Sequence, residues 1–187
     1  MEEVEIERRL AKQLSEKRMR HVHGVAKAAE RLARRFGVCP QQARLAGLLH
    51  DCARECAKRE LLEIAAARAL PLTALERAAP VLLHAPVGAL WAREVYGVED
   101  AQVLRAIALH TTGGAGMTQL DKILYLADMI EPNRDFPGVT ALRREAETNL
   151  DKAVFAALGQ SLSYMLRRGE LIHPDTIVAR NDFLLKE

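Results

Sequence analysis

The chain has 187 residues, 49% hydrophobic and 28% charged, with 27 Lys and Arg against 25 Asp and Glu. That balance describes one compact domain burying roughly 70% of its unfolded surface, and it excludes disordered, collagen-like and coiled-coil chains. A formal charge of +2 leaves no nucleic-acid footprint, and 4% aromatics provide neither a stacking platform for single strands nor an aromatic-rich sandwich core.

Ala and Leu recur at helical spacing from end to end and β-branched alternation is almost absent, so the expected class is all-α. A first helix is expected over about Glu2 to Ser15 and a second from Arg18 to Phe36, stopped by Gly37. Pro40 opens a third that carries ARLAGLLHDCA. Lys58 to Ala69 reads as helical and ends before Pro71, and Thr73 to Ala79 as a short helical turn bounded by Pro80. Helices follow over about Pro86 to Tyr96 and Ala101 to Thr111, then a glycine loop around Gly113 to Gly116. Thr118 with Asp121 three residues on makes an N-cap for TQLDKILYLADMI, which Pro132 ends, and NRDFPG connects onward. Thr140 to Thr148, Leu150 to Arg168 and, past Gly169, Pro174 to Leu185 complete the helices. Connections are short and no linker divides the chain, so residues 1–187 are expected to form a single α-helical domain.

The N-terminal MEEVEIERRLAKQL lacks an apolar core and no 18 apolar residues run together, so neither secretion nor membrane spanning is expected. Cys39, Cys52 and Cys56 are odd in number and contain no C-x-x-C, and Cys52 and Cys56 read as reduced thiols in a cytoplasmic protein. EEVEIERR, KREL and RREAETN read as solvated helix faces with i,i+4 pairs, and His173 as a loop or near-cap residue.

Chemistry shows in placement: the apolar runs LAGLL, VLL, AIAL and LYLA each end in a His or Asp, namely His50-Asp51, His84, His110 and Asp128. An ionised carboxylate buried alone costs several kcal/mol, so Asp51 and Asp128 call for positive charge, which a metal ion supplies. His21 brings the set to four His and two Asp, ligand types that suit Fe, Mn, Co or Zn, with His23 a competitor for the same role. On a helix His50 and Asp51 would point about 100° apart, which two ions could use. One takes His50, the other His84 and His110, and Asp51 bridges them, activating a shared water near neutral pH.

The order H…HD…H…H…D in an all-helical chain resembles the HD superfamily of metal-dependent phosphohydrolases. RMRHVHGVA, LAGLLHDCAR, LLHAPVGA, AIALHTTGGAGM, LDKILYLADMIEPNRDFPGV and PDTIVARN resemble, in order, motifs of its YqeK-type symmetrical bis(5′-nucleosyl)-tetraphosphatases, most densely over about residues 18–138. The resemblance implies an HD-type helical bundle, symmetrical hydrolysis of diadenosine tetraphosphate and related dinucleoside polyphosphates to two ADP, two metal ions usually described as iron, and a homodimer. It implies further that His21, His50 and Asp128 hold one ion, His84 and His110 the other, with Asp51 between. It selects His21 over His23 because the family's first ligand stands three residues before a glycine, here Gly24. Asp51, Arg54 and Lys122 are then expected in catalysis, and Arg18, Thr111, Thr112, Asn133 and Arg134 at the substrate. Two departures concern substrate affinity: Arg54 stands where the family has lysine, and Gly114 where it has arginine. The alternatives are an HD-type nucleoside 5′-monophosphatase and a nucleotide-sensing module. The pair Arg54-Glu55 argues against a guanosine tetraphosphate hydrolase, and the absence of a GYP signature against a cyclic-dinucleotide hydrolase.

Overall fold

In the computed structural model, which describes residues 1–185, the chain is helical throughout with no strand among the described residues. The helices are α1 (Glu3–Gln13), α2 (Glu16–Phe36), α3 (Pro40–Leu49), α4 (Lys58–Ala67), α5 (Ala74–Ala78), α6 (His84–Glu94), α7 (Ala101–Leu109), α8 (Gln119–Ile130), α9 (Val139–Ala146), α10 (Leu150–Arg168) and α11 (Pro174–Leu184). A single 3-10 turn, Pro80–Leu83, leads into α6.

Side chains at the helix starts explain most boundaries. The Thr118 hydroxyl accepts from the Asp121 amide while the Asp121 carboxylate accepts from the Thr118 amide, a reciprocal cap that fixes where α8 begins; Thr73 and Glu76 do the same for α5. Gly37 and Gly169 close α2 and α10 in the left-handed conformation, at φ 70° and 64°. His173 caps α11, its Nδ1 accepting from the Asp175 amide at 3.2 Å.

Of the boundaries that differ from the sequence expectation, three have a plain local reason. Ser15 lies outside α1 because its hydroxyl caps α2, accepting from the Arg18 amide. Helix α3 stops at Leu49, so His50, still with helical dihedrals, and Asp51 lie on the turn that follows and not within the helix. Helix α6 begins at His84, and Pro86 fits inside its first turn, where an amide proton has no helical partner to lose.

The core is built from aliphatic side chains and many alanines, among them Ala26, Ala29, Ala33, Ala43 and Ala46. Small residues let backbones approach: a Cβ at Gly47 of α3 would lie 2.6 Å from the Ala26 Cα of α2. Helix α2 packs on α3 and α8, α7 on α6 and α8, and α10 on α9, α11 and α8. This arrangement brings the turn after α3, the start of α6, the end of α7, the first turns of α2 and the last turn of α8 together at one end of the bundle.

The charged N-terminal segment and KREL behave as solvated faces, with Glu5 paired to Arg8 and Arg9, and Arg59 to Glu63. RREAETN corrects the expectation at one residue. Arg143 is half-buried and donates to the carbonyls of Ile130, Glu131 and Arg134 at 2.8–2.9 Å, fixing the loop after α8.

Candidate metal centre

Four imidazoles and two carboxylates meet at that end of the bundle. Asp51, buried at the turn after α3, divides its two oxygens between them. Its Oδ2 lies 3.5 Å from His50 Nε2 and 3.7 Å from His21 Nε2, and its Oδ1 lies 3.3 Å from His84 Nε2 and 3.7 Å from His110 Nε2. Asp128 Oδ1 is 3.1 Å from His21 Nε2. Three overlapping triads have ligand atoms within 4.8 Å of one another: His21, His50 and Asp51; His50, His110 and Asp128; and Asp51, His84 and His110. His50 belongs to two of them and sits at the junction. His23 turns away, its ring 3.6 Å from the Glu7 carboxylate.

Local backbone geometry sets which ring nitrogen faces the centre. His50, His84 and His110 each place Nδ1 against the carbonyl three residues earlier, of Gly47, Val81 and Ile107, at 2.7, 2.5 and 2.7 Å. A carbonyl only accepts, so each Nδ1 carries a proton and each Nε2 is the nitrogen turned toward the centre. Burial pushes the His84 pKa down, which keeps that ring neutral. His84 Nε2 lies 3.1 Å from His110 Nε2, and the Thr111 hydroxyl is within 3.1–3.2 Å of both, with a single proton to give. Lone pairs converging on carboxylate oxygens without enough protons to go round are what a cation resolves, so the donor set fits divalent metal.

Charge around the centre is concentrated on one side. Arg18 Nη1 donates to Asp51 Oδ2 at 2.6 Å, and Arg134 reaches both the carboxylate and the carbonyl of Asp128. Burial works to raise the Asp51 pKa, but the neighbouring imidazoles of His50, His110 and His84 hold it well below the usual carboxylate range. Asp128 is likewise held low, its burial outweighed by the His21 hydrogen bond and the Arg134 charge. Both acids are therefore ionised and ready as ligands or bases.

Thr111 lies 3.1–3.2 Å from the His84 and His110 nitrogens, and Thr112 donates to the Gly113 carbonyl. Arg54 is half-buried on the same turn as Asp51, with no acidic partner for its guanidinium among the described residues. Two expected site residues face elsewhere. Lys122 sits in an ion pair with Asp151 at 2.6 Å and over the Phe183 ring, apart from the cluster, because α10 and α11 close over that face of α8. Asn133 donates its amide and side-chain nitrogen to Glu131 Oε2 at 2.8 and 2.9 Å instead of opening toward the cluster.

Glu131 is the residue that sequence reasoning missed. It is 1% exposed, and its Oε1 lies 3.1 Å from His21 Nδ1, so it orients His21 as the backbone carbonyls orient the other three imidazoles. Gly24 makes the space: a Cβ there would lie 2.4 Å from Glu131 Oε2. A carboxylate buried at the end of an apolar helix was the available signal, the same one that singles out Asp128. On the other side of the cluster Glu55 accepts from the Ser15 amide and hydroxyl, both at 2.7 Å, tying the Asp51 turn to the start of α2, which carries Arg18 and His21. The Asn181 side chain makes no hydrogen bond among the described residues, whereas Asp182 accepts from the Gly116 amide at 2.6 Å and anchors the glycine loop.

The HD domain family model matches residues 18–133. The chain is 40% identical to the symmetrical bis(5′-nucleosyl)-tetraphosphatase of Halalkalibacterium halodurans, across 93% of this chain and 92% of that protein. It is equally 40% identical to the Bacillus subtilis protein of that name, with 90% of each covered. The crystal structure of a predicted HD superfamily hydrolase involved in NAD metabolism from Clostridium acetobutylicum superposes with a TM-score of 0.97 at 36% identity, covering 100% of this chain and 99% of that one.

Proposed function

The chain belongs to the HD domain family, and from that premise we propose that it hydrolyses diadenosine tetraphosphate and related dinucleoside polyphosphates symmetrically, giving two ADP. The observation that carries the reading is the division of Asp51: one oxygen faces His21 and His50, the other His84 and His110. That is the arrangement expected of a carboxylate shared by two cations. His21, His50 and Asp128 would hold one ion, and His84 and His110 the other. When bound, the ions supply Lewis acidity and ease the loss of a proton from water.

The chain's own groups account for the rest. Arg18 and Arg134 on the His21 side and Arg54 on the Asp51 turn offer guanidinium groups suited to phosphate oxygens, and they offset charge as it builds on the bridging oxygen of the scissile bond. Thr111 and Thr112 stand at the His84 and His110 side, where the Thr111 hydroxyl can donate to a phosphoryl oxygen. One water adds across the central P–O–P link: its oxygen joins one inner phosphorus and the bond from the bridging oxygen to that phosphorus breaks. The second ADP departs with the bridging oxygen as a terminal phosphate oxygen, and the surplus proton passes to solvent. A complexed phosphate is a competent leaving group, so no dedicated acid is needed. Lys122, neutralised by Asp151, serves to position α8 against α10 and α11 rather than to touch substrate.

Iron is the ion we propose, with Mn, Co and Zn compatible with the same imidazole and carboxylate donors. Unpaired Cys39, Cys52 and Cys56 agree with a reducing, cytoplasmic setting. A homodimer is supported by the exposed apolar side chains Leu171, Ile177, Val178, Leu184 and Leu185 around α11. Product analysis tests the central reading. Metal-loaded protein should convert diadenosine tetraphosphate to ADP alone. ATP plus AMP as products, or faster turnover of AMP than of the dinucleotide, would overturn it, the latter in favour of a monophosphatase.

A further inference from the structure

Farther along α2 from His21, an open groove of about 710 Å³ runs between α2 and α9, lined at its loop edge by Ile130 and Pro132, the two chain neighbours of Glu131. Ala28, on the groove floor, lies seven residues along α2 from His21, about 10 Å at the helical rise. The volume falls within the roughly 300–1,000 Å³ of sites that take small organic ligands.

The lining divides by chemistry. Ala28, Ile130 and Pro132 form an apolar floor, while Lys27, Arg31, Arg144, Thr140 and the one carboxylate, Glu147, stand around it. Arg31 is paired with Glu147, whereas Lys27 and Arg144 have no carboxylate partner among the described residues. An apolar floor flanked by unpaired cations matches a ligand with a flat apolar face and attached phosphates. Arg143 also lines the groove, and it is the residue whose Nε and Nη2 hold the carbonyls of Ile130, Glu131 and Arg134. Its Nη1 makes no such bond.

We propose that this groove is a second nucleotide site, with the base on Ala28, Ile130 and Pro132 and the phosphates at Lys27 and Arg144, the end away from the Arg31–Glu147 pair. Occupancy acts on the loop carrying Glu131 and Arg134 through Arg143. The binding claim stands on the groove alone, and the coupling claim rests on the reading of His21 and Asp128 as metal ligands.

The test uses metal-loaded protein and ADP. Equilibrium dialysis should find two ADP per chain in the wild type and one in Lys27→Glu/Arg144→Glu, with groove affinity reduced roughly tenfold or more, a factor of ten being ~1.4 kcal/mol. Both residues are exposed, so charge reversal leaves the core untouched, and Lys27→Gln/Arg144→Gln should give an intermediate loss. ADP should inhibit dinucleotide hydrolysis in a mixed pattern in the wild type and competitively in the double variant, with kcat without ADP unchanged. One ADP per chain in the wild type, or two in the folded double variant, would overturn the site. Purely competitive inhibition alongside two bound ADP would overturn the coupling. Failure to hydrolyse the dinucleotide at all would overturn the proposed function and leave the dialysis result to stand for the groove.

Discussion

The two halves of the cluster are built unequally. The half around His21 has a carboxylate of its own in Asp128, a second carboxylate behind its imidazole in Glu131, and two guanidinium groups, Arg18 and Arg134, against its acids. The half around His84 and His110 has no private carboxylate: it shares Asp51, its imidazoles are backed only by backbone carbonyls, and its near neighbour is the neutral Thr111. On the proposed assignment of ligands, the first half, with more carboxylates and a carboxylate-backed imidazole, would be the more retentive of the two sites even with Arg18 and Arg134 offsetting part of that charge, and the second would be the readier to exchange its ion.

The largest effect is expected where the halves join. Asp51→Asn removes charge from both and leaves Arg18 facing an amide. Turnover should fall by about a thousandfold or more, the several kcal/mol that metal ions contribute, and metal content should drop in both halves. A variant with full metal and full activity would dissolve the distinction along with the proposed function.

Stepwise metal removal comes next and bears directly on the asymmetry. A chelator titration followed by metal analysis should be biphasic, one equivalent lost well before the other. His84→Ala should abolish the early phase and leave the late one. If His84→Ala instead removed the late phase, or Asp128→Asn spared the tightly held ion, the order of the halves would be reversed, and loss of both equivalents together in His84→Ala would show one indivisible site.

Glu131→Gln follows, at roughly a 10–100-fold loss of metal affinity or activity, the usual cost of removing the partner behind a ligating imidazole. The loss should fall on the late phase alone. Equal weakening of both phases would mean that Glu131 supports the fold around the cluster rather than His21.

What could be read from the sequence divides along the same line. His50, His84 and His110 each end an apolar run at the close of a helix or turn, and their backing carbonyls lie three residues away in the chain, so local pattern and local structure coincide. The helix order was legible for the same reason: caps such as Thr118 with Asp121 and stops such as Gly37 and Gly169 act within one turn. The supports of His21 were not legible, because Glu131 is 110 residues distant and Arg143 stands in a segment that looks like any charged helix face. The ion pair of Lys122 was hidden for a related reason. Its neighbours in sequence are a motif, but its ammonium is claimed by Asp151 on another helix, a choice made by packing alone.

The smallest predicted effect isolates the packing beneath this asymmetry. In Gly24→Ala the new methyl would meet Glu131 Oε2 at 2.4 Å, too close to stand, and α2 cannot retreat because Gly47 already brings α3 against its backbone at Ala26. The flexible partner is Glu131, yet its Oε2 is held by the Asn133 amide and side chain, so it yields only by loosening those bonds and tilting its other oxygen away from His21 Nδ1. His21 would keep its place on α2 but lose the acceptor that fixes its ring. The late phase of metal release should therefore weaken by a few-fold, less than in Glu131→Gln because the charge remains, while the early phase stays where it was. Asn133→Ala, which frees Glu131 to move, should restore part of the affinity in the Gly24→Ala background although alone it lowers it. Independent, additive losses in the double variant would show that the methyl acts on helix packing and that the crowding of Glu131 is not what Gly24 prevents.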